Sequence, residues 1–418
     1  MRGALRLLAG PASSDRERLD QHRARLGPYS TSRRSLIDVV RAAGLTGRGG
    51  GGFPTAAKLA AVRASSRRKG AVVVANGVES APASAKDQSL LVRRPHLVLD
   101  GLQLAGRLVG ADRLLLALPH RGAAPAVVRE ALLERRAQLP DEMEVELLVS
   151  PGGFVAGEET ALTAWVDGGV SKPRPVPPRP FEQGVAGRPT LVQNVETLAN
   201  LALIARFGSK WFRSVGLESE TGSTLVSVSG AISQPGVYEI AVGTPFPSLL
   251  EAAGWDESAQ AILVGGYFGT WISAQSALEI RFCRADLAAL GAAPGAGVLA
   301  VLAPERCGLQ EGAWVLRWLA GESSGQCGPC VMGLSAIAGA LERVADPTTY
   351  SVELPPRILR WCDDVQGRGA CHHPDGAVRF ARSVLLTFAA ELAVHAKGHC
   401  LAPGSASAPV TPRREAVL

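Results

Sequence analysis

Residues 71–80 read Ala-Val-Val-Val-Ala-Asn-Gly-Val-Glu-Ser. The run Ala71–Ala75 has the composition of a strand buried on both faces, and it ends abruptly in a polar cluster. Downstream, a helical segment at His96–Val109 separates it from a second strand-like run, Leu114–Leu118. A helix over Ala126–Gln138, with Pro125 suited to its first turn, leads to a third strand at Glu144–Val149. Strand, helix, strand, helix, strand predicts an open, mostly parallel α/β sheet. Ligands of such sheets sit at the carboxyl ends of strands, so Asn76-Gly77-Val78-Glu79-Ser80 is a candidate site as well as a polar turn.

Upstream, a helix at Leu36–Ala43 runs into the glycine string Gly47–Gly52, and helical spacing resumes at Thr55. Beyond the third strand, Pro173, Pro175, Pro177, Pro178 and Pro180 require an extended loop, and a helix restarts near Asn194. From Thr224 the pattern becomes short strands and turns, and from about Glu305 to Lys397 it is helical. The expected division is a flexible lead-in over 1–35, an α/β domain over 36–205, a β-rich unit over 222–302, a helical region over 303–400 and a tail over 401–418.

The chain has 418 residues, with 46% hydrophobic and 20% charged, which excludes a mostly disordered protein. Its 44 Lys and Arg against 38 Asp and Glu give a net charge of +6, but the basic residues form no dense tract, so no nucleic-acid partner is expected. No stretch approaches the roughly 18 apolar residues of a membrane helix, so no direct membrane insertion is expected. The N-terminal apolar run is short and soon charged, unlike a signal peptide, which points to a cytoplasmic protein. Seven cysteines, mostly late in the chain, suit metal ligands or buried thiols better than a secreted disulfide framework.

Five motifs carry chemistry. Gly47-Arg48-Gly49-Gly50-Gly51-Gly52-Phe53-Pro54-Thr55, with Lys58 one turn into the next helix, offers backbone N–H groups and a helix end to an anion such as phosphate, or is a flexible linker. Asn76–Ser80 follows the buried strand. Gly157-Glu158-Glu159-Thr160 is either a functional acidic pair or carboxylates stabilising a helix start. Gln193-Asn194-Val195-Glu196-Thr197 reads as a helix start with a capping residue. Cys327-Gly328-Pro329-Cys330, with Cys371 further on, points thiolates at one centre, as iron–sulfur and zinc sites require, unless these are buried or redox thiols.

In this order, the five motifs resemble the flavin-carrying, NADH-oxidising subunit of respiratory complex I (the 51-kDa-type family) and its relatives in NAD-linked hydrogenases and formate dehydrogenases. The resemblance runs from about Leu45 to Leu392. It implies an α/β FMN-binding domain with a mostly parallel sheet, a ubiquitin-like β-grasp (SLBB-type) domain and a C-terminal helical bundle with a [4Fe–4S] cluster. By the resemblance, Gly47, Arg48, Gly49, Gly50, Gly51, Gly52 and Lys58 cradle FMN, with Asn76, Glu79 and Ser80 nearby and Phe53 kept from the adenine site. Gly157, Glu158 and Glu159 line the flavin face where NADH stacks, Asn194 and Thr197 hold the phosphate end, and Cys327, Cys330 and Cys371 ligate the cluster. Electrons then pass from NADH to FMN to the cluster and onward to other electron-transfer subunits, in a cytoplasmic protein peripheral to a membrane complex.

The chain departs from the family pattern at definite places. Ser324 stands where the family has its first cluster cysteine. That leaves serine ligation, a three-iron (3Fe–4S) cluster, another ligand, no cluster, or a Cys/His zinc site using His372 and His373 beside Cys371. Val78 replaces an aspartate, Ala81 a glutamate and Val176 a lysine; Ala61 and Arg179 replace aromatics, and Ala123-Ala124 a Glu-Tyr pair. These changes favour FMN over NADH contacts. Three functions therefore stay open: an NADH dehydrogenase-like electron-transfer subunit, an FMN protein reduced by a ferredoxin-like partner, and a non-catalytic scaffold. The basic run Arg63, Arg67, Arg68, Lys69 is a solvated loop or a dock for such a ferredoxin. Cys307 and Cys362 read as buried thiols, Cys362 also as a substitute ligand, and Cys283 and Cys400 have no evident partners.

Overall fold

The structure is a computed structural model, and it describes residues 5–11, 16–28, 33–66 and 70–402. The tail from 403, and Arg67, Arg68 and Lys69 of the basic run, lie outside the described residues. The chain forms two compact units. One is built on residues up to Ser80 together with Ala85–Val226 and Val237–Gly243; the other comprises Ala81–Ser84, Ser227–Gly236 and the chain from Thr244.

The first unit is an α/β structure around four parallel strands: β1 (Ala71–Asn76), β2 (Ala111–Leu118), β3 (Val145–Val149) and β4 (Thr190–Asn194). Their spatial order is β3-β2-β1-β4. The chain winds outward from β1 through β2 to β3 and then returns to the other side of β1, so the β1/β4 seam is the point where the winding reverses. That is where open α/β sheets form a crevice at their carboxyl ends.

Alternate residues of β1 enter different cores. Val73 and Ala75 pack with Leu114, Leu116 and helix residues such as Leu102 and Leu198, while Val72 and Val74 pack with Leu115, Leu162 and Val192. Burial on both faces is why β1 reads as an unbroken apolar run. β4 was not legible in the sequence, because Thr190, Gln193 and Asn194 break its apolar pattern. The helix Pro95–Val109 crosses the helix Val195–Phe212 at Gly101, where a β-carbon would lie 2.0 Å from the Leu198 carbonyl oxygen. Only glycine allows that approach.

The lead-in expected to be flexible over 1–35 is, where described, anchored to this unit. Leu7 and Leu8 are buried, and the N–H groups of Arg6, Leu7 and Leu8 donate to the Glu239 carboxylate at 2.9, 3.0 and 3.0 Å. His22, on the helix Leu19–Leu26, bonds Asp100 at 2.7 Å and Glu17 at 3.3 Å, and Arg25 pairs with Glu17 at 2.6 Å. The segment's charges misled because they are internally paired, not solvated.

β5 (Ser223–Gly230) begins in the first unit and ends in the second, and β6 (Gly236–Ala241) follows it. Within the second unit, the end of β5 pairs in parallel with β9 (Val298–Leu302). β9 pairs antiparallel with β7 (Ala261–Val264), and β7 antiparallel with β8 (Thr270–Ser273). The helices Gly308–Gly321, Ser335–Ala345, Leu354–Val365, His373–Thr387 and Ala389–His395 complete the unit. Gly308 and Gly312 thin one face of the first of these, since β-carbons there would fall 2.2 Å from the Phe388 ring and 2.6 Å from Val384.

Candidate functional site

Register places Asn76 of β1 beside Asn194 of β4, so two carboxamides mark the mouth of the crevice. The Asn76 amide donates to the Gly157 carbonyl at 2.8 Å, and its oxygen accepts the Val78 N–H at 3.1 Å. A β-carbon on Gly157 would stand 3.2 Å from the Val78 carbonyl and 3.7 Å from the Ser80 hydroxyl. The Asn76–Ser80 and Gly157–Thr160 motifs therefore meet backbone to backbone.

The glycine loop joins them from the other side. It is closed by the Gly47 N–H on the Phe53 carbonyl at 2.9 Å, and Gly50 (φ 102°) and Gly52 (φ 62°) hold the left-handed conformations that glycine tolerates best. The Arg48 N–H donates to the Thr197 hydroxyl at 2.8 Å, and a β-carbon on Gly49 would come within 3.3 Å of the Asn194 side chain. Lys58, in the first turn of the helix Thr55–Ser65, reaches Glu159 at 2.9 Å. Four motifs separated by up to about 150 residues thus converge on one crevice, with Gly51 facing open space and Phe53 60% exposed beside them.

Glu79 and Glu158 each bond the start of a helix, which for Glu158 is the helix-start reading that the sequence offered beside a functional one. Glu79 accepts the N–H groups of Asp87 and Gln88 at 3.1 and 3.0 Å, at the start of the helix Lys86–Arg93. Glu158 caps its own helix through Thr160 and Ala161, at 3.0 and 2.9 Å. Both sit at helix N-termini, where their oxygens satisfy backbone N–H groups that the helix leaves unpaired. Of the three acidic candidates, Glu159 is the one whose carboxylate faces a cation from the glycine-loop side.

Beneath the crevice lies a charge network that sequence reading missed. Lys86 donates to Asp87 at 2.7 Å and to Glu196 at 2.8 Å; Asp87 accepts the Asn194 amide at 2.7 Å; and Glu196 accepts from Thr224 and Leu225 at 3.0 and 3.1 Å. Burial opposes the charge on Lys86, but Asp87 and Glu196 hold it above its ordinary range. Burial pushes the Asp87 carboxyl up to about 6, against the pull of Lys86 and with a further push from Glu79. The sequence signal was Glu196 inside Asn194-Val195-Glu196-Thr197; its partner Lys86 carries no motif.

In the second unit, Cys327, Cys330 and Cys371 come together. The Cys327 sulfur accepts the N–H groups of Ala370 and Cys330; burial raises its thiol, but these bonds lower it on balance. Burial, with Cys327 and Cys371 close by, pushes the Cys330 thiol up to about 12 even though the Ser323 hydroxyl bonds it. Cys330 sits in a widened helical turn, Pro329–Leu334, of the i→i+5 kind often found at functional sites. Ser324, expected as a ligand, does not join the sulfurs: its hydroxyl donates to the Gln326 side chain at 3.0 Å. Its neighbour Ser323 reaches Cys330 instead, because the chain turns at Gly325 (φ 70°).

The alternative ligands also point elsewhere. His373 Nε2 bonds the Leu319 carbonyl at 2.9 Å, His372 pairs with Asp375 at 3.2 Å, and Cys362 is buried beside Arg382 and Asp363. Three converging thiols with an adjacent hydroxyl fit an iron–sulfur cluster held by three cysteines. The open glycine loop, with Lys58 and the two carboxamides, fits a phosphate-bearing flavin.

An α/β crevice of this kind and a separate thiol centre define a redox protein of the flavin and iron–sulfur class. Residues 40–203 match the Nuo51 FMN-binding domain and residues 312–395 the NADH-ubiquinone oxidoreductase-F iron-sulfur binding region. Across both regions the chain is thus similar to the flavin-carrying, NADH-oxidising subunit of respiratory complex I. Among its relatives, the second NADH-quinone oxidoreductase F subunit of Rhizobium meliloti is 29% identical over 89% of this chain and 91% of its own length. The NADH-quinone oxidoreductase F subunit of Mycobacterium bovis is 29% identical over 87% and 85%. A solved NAD+-reducing [NiFe]-hydrogenase in the H2-reduced state superposes with a TM-score of 0.80 at 29% identity; the match covers 89% of this chain and 64% of that one.

Proposed function

We propose that the protein is an electron-transfer subunit of the NADH dehydrogenase type, with FMN at the β1/β4 crevice and an iron–sulfur cluster at Cys327, Cys330 and Cys371. The observation that carries this reading is the meeting of the glycine loop, Asn76–Ser80, Gly157–Glu159 and Asn194–Thr197 at the carboxyl ends of β1 and β4. When bound, FMN accepts an electron pair from a reduced nicotinamide and releases electrons singly to a one-electron carrier. The chain's own groups bind and orient: the loop's backbone and Lys58 receive the phosphate end, Asn76 and Asn194 fix the mouth, and Glu159 holds Lys58 in place. Lys86 neutralises the carboxylates below, and Asn194 steadies the Asp87 oxygen that Lys86 does not take.

In the same reading, residues 36–205 form the FMN domain, 222–302 a β-grasp (SLBB-type) domain and 303–400 the helical bundle, with 401–418 a tail. Its placement is cytoplasmic and peripheral to a complex, with other electron-transfer subunits as partners. Among the described residues no helix is long and apolar enough to cross a membrane.

A second reading, FMN reduced by a ferredoxin-like partner, is favoured by Val78, a buried apolar side chain at the crevice where the family carries an aspartate. An anaerobic optical titration separates the readings. Flavin and cluster absorbance bleached by NADH supports the first. Bleaching by reduced ferredoxin but not NADH supports the second, and a colourless protein that takes up no FMN overturns both in favour of a scaffold.

A further inference from the structure

Cys307, Glu391, His395 and Cys400 form a second donor cluster in the second unit, made of residues that the function above does not use. One ligating atom from each lies within 4.8 Å of all the others, and Cys307, Glu391 and His395 are buried. We propose that these four side chains are a closed structural zinc site. Two thiolates, one imidazole and one carboxylate are donors that Zn2+ accepts in tetrahedral coordination. With zinc–ligand distances of about 2.0–2.3 Å, tetrahedral geometry sets donors roughly 3.3–3.8 Å apart, so binding draws the outlying atoms together by about 1 Å. Cys307 Sγ and His395 Nε2 already stand 3.7 Å apart.

Each ligand is oriented by a second group. His395 Nδ1 is 3.1 Å from the Val344 carbonyl, an acceptor only, so the proton belongs on Nδ1 and the Nε2 lone pair faces the cluster. A backbone carbonyl on the far nitrogen is the usual support of a zinc-binding histidine. Cys307 opens the helix Gly308–Gly321, and its sulfur accepts the Gln310 N–H at 3.4 Å, which fixes the direction of the thiol. The Gly308 N–H holds Glu391 Oε2 at 3.0 Å, and the buried carboxylate has the Cys307 thiol as its other neighbour. Glu391 and His395 are four residues apart on the helix Ala389–His395, which sets both on one face.

A carboxylate buried with two thiols and an imidazole is costly to keep charged, and a divalent ion bound by all four would neutralise it. On binding, Cys307 and Cys400 each release their thiol proton, and the ion then joins the start of the helix Gly308–Gly321 to the chain after His395.

The test measures zinc and iron per chain in full-length protein purified with zinc supplied. Wild type, Cys400→Ala, His395→Gln and Cys327→Ser are compared, with far-UV circular dichroism to establish that each folds. The expected result is one zinc per wild-type chain, lost at least tenfold in Cys400→Ala and His395→Gln but kept in Cys327→Ser. Zinc absorption-edge spectra of the wild type should show two sulfur neighbours at about 2.3 Å and two lighter ones at about 2.0 Å. If a variant does not fold, competition between the wild-type protein and a zinc chelator supplies the affinity. Absence of zinc after reloading, zinc that leaves with Cys327→Ser instead, or a Cys307–Cys400 disulfide in native mass spectra would overturn the proposal.

Discussion

The β1/β4 crevice and the cysteine turn are built on opposite plans. Around the crevice, protein groups hold one another: Asn76 on Gly157, Arg48 on Thr197, Lys58 on Glu159, Lys86 between Asp87 and Glu196. At Cys327, Cys330 and Cys371 the three sulfurs repel as their protons leave, and no fourth thiol completes the set. The difference teaches that the first site's groups are tied by opposite charges and hydrogen bonds within the fold, whereas the second gathers like groups that a metal would tie. Preorganised polar networks tolerate changes at their ligand-facing rim but not at their buried members.

The most severe way to break this contrast is Lys86→Met. It strands Asp87 and Glu196 in the core and should cost about 3–5 kcal/mol of stability, read as a lower urea midpoint with FMN content falling in parallel. Next, Cys327→Ser should remove most cluster iron and sulfide while FMN content and the urea midpoint stay near wild type. A matching loss of FMN would show that the two sites are not independent in this way.

Acid unfolding probes a third network, that of the anchored lead-in. Burial would raise Glu17, but hydrogen bonds from His22 and Arg25 bring it from 4.5 down to about 2. A carboxylate depressed in the folded state stabilises above its unfolded value, and that stability is lost as pH falls toward its folded one. The contribution is of order 3 kcal/mol. Glu17→Gln should therefore lower stability at neutral pH and flatten its decline between about pH 5 and 2.

Ser324→Cys sharpens the comparison from the other side by supplying a fourth thiol at the family position. Iron per chain should rise toward four, and the cluster should survive air longer. The smallest effect is expected of Gly49→Ala, whose methyl would press on Asn194 at 3.3 Å. FMN affinity should fall by a few-fold, about 1 kcal/mol, measured by fluorescence quenching of added flavin.

Much of the crevice was legible because its parts are local. A glycine string, a strand ending in Asn-Gly, and a Gly-Glu-Glu helix start each depend on short-range backbone chemistry. Their meeting was inferred through the family resemblance, and the register of Asn76 with Asn194 supplies the physical link. Reading failed where a residue's role is set by a distant partner. The sequence did not show that Glu79 accepts two N–H groups of the helix Lys86–Arg93, or that Ser323 and not Ser324 bonds Cys330.

By itself the sequence determined the alternation of strands and helices, the glycine loop and the Cys-x-x-C turn, since periodicity and spacing act within a few residues. Tertiary structure alone decided that Lys86 neutralises Asp87 and Glu196, that the lead-in is anchored on Asp100 and Glu239, and that Cys307 meets Cys400. Apart from the adjacent Lys86 and Asp87, those pairings join residues from about 80 to over 200 positions apart. Only packing brings such groups together, and burial then makes each charge depend on the partner it finds.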